Sequence, residues 1–200
     1  MNPAPENHPP LDPEKGKTLL ALARGSLKEK FGRPLTVAEA AAQESGRADP
    51  SLQARCGTFV TLVLEGRLRG CIGTLSPSET IAAGVQRNAL NAAFHDPRFS
   101  PLTEAEFDRI KIEVSVLTEP RPLPFKDGAD LARRLRPKLD GVILRKGYAS
   151  ATFLPQVWEQ LPRPEEFLGY LCLKAGLKRD AWKQLGIEVS TYQVQYFEEK

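Results

Sequence analysis

Residues 57–64, GTFVTLVL, and 67–74, RLRGCIGT, are β-rich runs separated only by Glu65 and Gly66, and no other feature limits the fold of this chain so strongly. A two-residue connection whose glycine accepts positive φ closes a β-hairpin, so the sequence predicts an antiparallel pair here. Pairing Leu64 with Arg67 sets Cys71 opposite Val60 and Cys56 opposite Leu75, which keeps the two thiols apart and argues against a disulfide between them. Alternation along the strand then puts Arg67, Arg69 and Cys71 on one face, with Leu68 and Ile72 on the other.

Around this hairpin the remaining signals are mixed. Leucines 19, 20 and 27 with Ala23 give a helical row from Pro13 to about Phe31, ended by Gly32 and Pro34. Thr36 and Glu39 have capping-box spacing before a short alanine-rich helix, which Gly46 and Pro50 close. Ser76, Pro77 and Glu79 predict a longer helix over 77–94 whose buried stripe is Ile81, Val85, Asn88 and Ala92, with Asp96-Pro97 as its stop. Thr103 with Glu106 caps a further turn, and the alternation of IKIEVSVLT predicts a half-buried strand over 110–118.

The prolines at 120, 122 and 124 mark a surface crossing, after which Leu131 and Leu135 give a helical row. A second hairpin, GVILRK and ASATFL, turns at Gly147-Tyr148. Residues 155–183 read as two or three short helices, and 187–198 as one strand with a bulge near Thr191. Strands joined by hairpins, with no regular β-α-β alternation, predict an α+β fold with a mostly antiparallel sheet and flanking helices. Residues 1–12, with four prolines in the first ten, read as a disordered tail, and 13–198 as one domain or two lobes sharing a sheet.

Composition excludes several function classes. With 28 Lys and Arg against 25 Asp and Glu, the net charge of +3 argues against a strongly cationic nucleic-acid or membrane module. Within 121–146 eight Lys or Arg face three Asp, yet Phe125 is the one aromatic residue among them and no series of aromatics is interleaved to stack bases, so a solvated helix face explains this excess better than nucleic acid does. Only two histidines occur, His8 and His95, so a three-histidine metal site is not available. No metal or other cofactor is expected, and no glycine-rich nucleotide motif is present. Three cysteines without C-x-x-C spacing fit a reducing compartment, and the absence of a long apolar run or a leader-like start predicts a cytoplasmic protein with no membrane span.

The chemistry-bearing candidate is Cys71. A thiol reacts as thiolate, and a fixed positive charge favours that form, so Arg69 two residues away is the candidate activator. Gly70 and Gly73 leave room for close approach by a substrate or by another backbone. The structural alternative is an inert buried thiol. Asp96 and Arg98, in HDPRF, are candidates to orient Arg69 or a substrate carboxylate or phosphate; alternatively they only make the turn after the helix. His95 complements the helix dipole, Asn88 needs buried partners, Glu113 is a general-base candidate or a cross-strand charge, and Cys172 is core.

The strings CGTFVTLVLEGRLRGCIGTLSP, NAAFHDPRFSPLT, IEVSVLTEP, LPQV and FLGYLCLKAGL, in this order over about 17–197, resemble the AMMECR family, called AmmeMemoRadiSam system protein A in prokaryotes. The resemblance implies a two-lobed α+β fold, an intracellular protein of unestablished activity, and a Memo-like protein and a radical SAM protein as partners. It places Arg69, Cys71, Asp96 and Arg98 on motif positions. GYASATFLPQV departs from the family's GGRSGLLLPQV, with Ala149-Ser150 in place of Arg-Ser. Two readings follow: a cysteine-dependent enzyme modifying a small molecule or macromolecule, with Cys71, Arg69, Asp96 and Arg98 at its site, and a non-catalytic subunit that docks onto a partner enzyme.

Overall fold

The first helical row closes as α1, Pro13–Lys30, because the Asp12 carboxylate accepts from the Lys15 amide and Pro13 opens the first turn. This computed structural model describes residues 10–200. Of the predicted tail, residues 1–9 with His8 lie outside the described residues. Leu11 is buried, and Gln195 holds both its amide and its carbonyl, at 2.8 and 3.2 Å. The packed fold thus begins just ahead of α1.

The chain divides into two units, residues 10–118 with Gln195–Lys200, and Glu119–Val194. In the first, α1 is followed by α2, Val37–Ala48, whose capping box of Thr36 and Glu39 forms as predicted. Lys28 then pairs with the buried Glu39 carboxylate at 2.8 Å, which locks α2 to α1. The hairpin strands are β1, Thr58–Leu64, and β2, Arg67–Thr74, and both turn residues have positive φ, 53° at Glu65 and 75° at Gly66, as a type I′ turn demands.

Helix α3, Ile81–Phe94, starts four residues later than the Ser76-Pro77 signal implies. Its first amides are claimed by tertiary partners: Ile81 and Ala82 donate to the Ala54 and Leu52 carbonyls, and Thr80 takes the capping role by accepting from Ala83. The predicted stripe of Ile81, Val85, Asn88 and Ala92 is buried. A short α4, Glu104–Phe107, leads into β3, Ile110–Leu117.

The second unit holds β4, Arg121–Pro122, α5, Gly128–Arg134, β5, Gly141–Lys146, β6, Ala149–Phe153, α6, Pro164–Lys174, and two 3₁₀ segments, Pro155–Glu159 and Ala181–Lys183. Trp158 stacks on Phe167 at 3.7 Å between centroids in its core. The strand predicted over 187–198 is two strands, β7, Glu188–Tyr192, and β8, Val194–Glu198, that join different sheets. The change of alternation near Thr191 therefore marks a passage between sheets and not a bulge. The sheet orders are β2-β1-β3-β8 in the first unit and β4-β7-β5-β6 in the second, so each unit has its own sheet where the sequence left a shared one open.

Helices α1 and α3 cover one face of the first sheet. There Val60, Leu62, Ile112 and Val114 are sealed against Leu19, Leu22, Val85 and Ala89. Asn88 sits inside this interface, its amide nitrogen donating to the Thr58 carbonyl at 3.0 Å and hydroxyl at 2.9 Å. The amide on the apolar stripe is thus the tie between helix and strand.

Candidate functional site

Strand β2 does not keep the register that its turn implies. Leu64 pairs with Arg67 and Val63 with Leu68, but Leu62 pairs with Gly70, so Arg69 is one residue too many. A single inserted residue reverses the facing of everything beyond it. Cys71 consequently stands opposite Thr61, not Val60, and Leu68 and Ile72 lie on opposite faces. Ile72 packs on the core and Leu68 is exposed.

The bulged Arg69 turns inward. Its Nε and Nη2 donate to the two Glu106 oxygens at 2.9 and 3.0 Å, and Nη2 also reaches the Pro101 carbonyl at 3.3 Å. Glu106 is already fixed by Thr103, whose amide and hydroxyl both donate to Oε2. The Arg69 bonds, then the Thr103 amide, bring the Glu106 carboxyl down to about 2. Arg69 Nη1 is buried with no hydrogen-bond partner among the described residues, and its guanidinium lies 5.9 Å from the Phe99 ring centre. The described hydrogen bonds of Arg69 therefore serve the bulge and α4, and none goes to Cys71.

The guanidinium at Cys71 is that of Arg98. Because β2 is an edge strand, the Cys71 amide and carbonyl point away from β1, and the turn after α3 satisfies both. Asp96 Oδ2 accepts from the Cys71 amide at 2.8 Å, and Arg98 Nη2 donates to the Cys71 carbonyl at 3.2 Å. Asp96 in turn accepts from Arg98 Nε at 2.9 Å and Nη2 at 2.7 Å. Those Arg98 bonds first, against the cost of burial and with help from the Cys71 amide, hold the Asp96 carboxyl well below the usual range. The Asp96 bonds, with a smaller contribution from the Cys71 side chain, raise Arg98. The pair thus acts as a substitute neighbouring strand for one residue, and it leaves the Arg98 side chain 53% exposed. Cys71 itself is half-buried, with the Thr61 hydroxyl 3.3 Å from its sulfur.

The motif glycines are accounted for by packing. A Cβ on Gly70 would lie 2.1 Å from the Ala92 carbonyl oxygen, and one on Gly73 would lie 2.2 Å from the Phe59 ring. Gly70 admits the end of α3, and Gly73 carries the aromatic side chain across the hairpin.

Other candidates take their places around this cluster. His95 ends α3, exposed. Glu113 pairs with Thr61 on β1 and lies against the Tyr196 phenol, which burial first, then Glu113 and Glu198, keep above its usual range. Cys56 and Cys172 are buried and neither is in a disulfide among the described residues, and burial pushes the Cys172 thiol up. The basic stretch is partly neutralised internally, since Arg133 and Arg134 pair with Asp130 and Arg136 with Asp140. Among the described residues no three His, Cys, Asp or Glu side chains gather as metal ligands. A cavity of about 800 Å³ lies in the second unit between Gly128, Pro164 and Trp182. Sequence reasoning read Glu106 only as a cap and passed over Thr61, Phe99 and Tyr196. The one available signal was the parity of Thr61, hidden by the bulge.

These features define an α+β protein in which a half-buried thiol on an edge strand is framed by an Asp–Arg clamp. The chain belongs to the AMMECR1 family, whose model matches residues 20–197. It is 38% identical over 204 residues to a protein of Thermofilum pendens, covering 94% of this chain and 92% of that one. A Methanosarcina barkeri protein is 37% identical over 193 residues, with 93% and 91% covered. Among solved structures, the crystal structure of an uncharacterised protein from Pyrococcus horikoshii superposes with a TM-score of 0.79 at 32% identity, covering 95% of this chain and 94% of that one.

Proposed function

We propose that the Cys71 cluster is the working site of a cysteine-dependent enzyme acting on a small molecule or macromolecule. Cys71 is its nucleophile, Arg98 the cation that receives an acidic group of the substrate, Asp96 the residue that fixes Arg98, and Arg69 the positioning residue that holds the bulge. One observation carries this reading: a half-exposed guanidinium held by a buried carboxylate and by the carbonyl of the very cysteine beside it. Such pre-orientation lowers the cost of capturing an anion next to the sulfur.

The test is alkylation of native Cys71 at neutral pH by iodoacetate and iodoacetamide. Relative to the same pair reacting with glutathione, the anionic reagent gains about two- to fivefold at low salt, the rate equivalent of an exposed charge pair. Arg98→Gln removes the gain. A Cys71 slower than glutathione with both reagents overturns the reading.

A second reading is favoured by the exposed Leu68, 46% accessible on the face that carries Cys71. There the same face docks a Memo-like or radical SAM protein without chemistry. Co-purification of either partner, unchanged by Cys71→Ser and lost in Leu68→Asp, supports docking over catalysis.

A further inference from the structure

The Cys71 cluster does not end at β2. Directly paired residues of an antiparallel sheet share a face, and Cys71 pairs with Thr61, which pairs in turn with Glu113. Beyond Glu113, on β8, stands the Tyr196 hydroxyl. A polar row therefore crosses all four strands on the face away from α1 and α3. It runs from the Arg98 guanidinium at the open edge through thiol and hydroxyl to a carboxylate and a phenol.

Apolar side chains flank the row. One step along the strands in one direction lies Phe59 over Gly73, and in the other lie Val63 and Leu68. Residues two apart on a strand are separated by about 7 Å, so these side chains leave a strip about the width of an extended small molecule. The ends of the strip have opposite charge. Arg98 is the cation at one end. Glu113, half-buried, is the anion at the other, two strand spacings or about 10 Å from Cys71. Lys111, exposed and facing the same way beside Val63, lies in the next row and is the nearest other cation on β3.

We infer that the ligand of this site is a small zwitterion laid across β2, β1 and β3, its acidic group on Arg98 and its ammonium group on Glu113. The inference rests on the reading of Cys71 as the working thiol and adds the second recognition point. The Tyr196 hydroxyl lies against Glu113 and donates to Glu198 Oε2 at 3.3 Å, so a second carboxylate stands at this end of the strip.

Methanethiosulfonate reagents test this, because the Cys71 thiolate displaces methanesulfinate and keeps the reagent's tail as a mixed disulfide. The probes are the hexyl reagent and its aminohexyl counterpart, whose ammonium reaches Glu113 from Cys71. Labelling is read at the Cys71 peptide by mass spectrometry and normalised to glutathione. The aminohexyl reagent gains about two- to fivefold over the hexyl reagent at low salt, and the gain falls as ionic strength rises through a Debye length of about 10 Å. Glu113→Gln abolishes this gain while the rate with the hexyl reagent is kept. Salt dependence on the unaltered protein decides the same point if that variant does not fold. If Cys71 reacts readily but shows no ammonium gain, or the gain survives Glu113→Gln, the zwitterion assignment falls and the Cys71 reading stands. If Cys71 resists both reagents, both fall together.

Discussion

Gly70→Ala is the substitution that tests most directly how the motif is built. The new Cβ would start 2.1 Å from the Ala92 carbonyl oxygen and 3.0 Å from its carbon. An ordinary carbon–oxygen contact is about 3.3 Å, as in the closest backbone C–H···O approaches, so the strand and the end of α3 must part by about 1 Å. Both sides of the clash are backbone, and no rotamer change relieves it. Overpacking of this kind costs about 1–3 kcal/mol, here at the upper end. The reduced freedom of the unfolded chain returns about 0.4–1 kcal/mol. The net is about 2 kcal/mol of destabilisation, a fall of roughly 4–8 °C in Tm for a chain of this size. Urea unfolding followed by far-UV circular dichroism measures it. The parting also loosens the strand edge held by Asp96, so Cys71 is alkylated faster in the variant. A Gly70→Ala protein as stable as the original, with unchanged Cys71 labelling, refutes the close-approach argument.

Three further outcomes are expected. Because the Glu106 carboxyl is lowered from its unfolded value near 4.5 to about 2, the unfolded chain binds the extra proton; the stabilisation is fully present above about pH 4.5 and is lost as pH falls toward 2. Glu106→Gln flattens that part of the stability–pH curve and costs about 2–3 kcal/mol at pH 7, since Arg69 is left buried without its counter-charge. Asn88→Ala strips the buried Thr58 carbonyl and hydroxyl of a partner at the helix–strand interface and costs about 1–3 kcal/mol by thermal unfolding, whereas a loss below 0.5 kcal/mol would mean that water replaces the amide. Asp96→Ala frees Arg98 and the Cys71 amide together, so hydrogen exchange at Cys71 accelerates more than at Val60, which lies deeper in the same sheet.

Local signals decided how much of this was legible. The hairpin, both Thr-Glu capping boxes, the buried stripe of α3 and the second hairpin each depend on residues within a turn or two of one another, and each stands where the sequence placed it. The errors are long-range. Nothing within RLRGCIGT says that Arg69 is the extra residue, since its reason is Glu106, 37 positions away. The Ser76-Pro77 start gave way to Thr80 because carbonyls at Leu52 and Ala54 compete for the first amides. Of the candidate site, Asp96, Arg98 and Cys71 do assemble, but Arg98 and not Arg69 lies at the thiol. Alternation fixes a residue's face only while the register holds, and the bulge broke it two residues before the cysteine.

The passage from β7 to β8 makes the first unit discontinuous along the chain. Its sheet takes three strands from residues before Thr118 and the fourth from β8 at 194–198, with the other unit forming in between. A ribosome therefore finishes the entire inserted unit before the strand that covers β3 exists. Until then β3 offers an unpaired rim of amides and carbonyls, and the nascent protein depends on the insert to bring the two ends of that gap back within bonding reach.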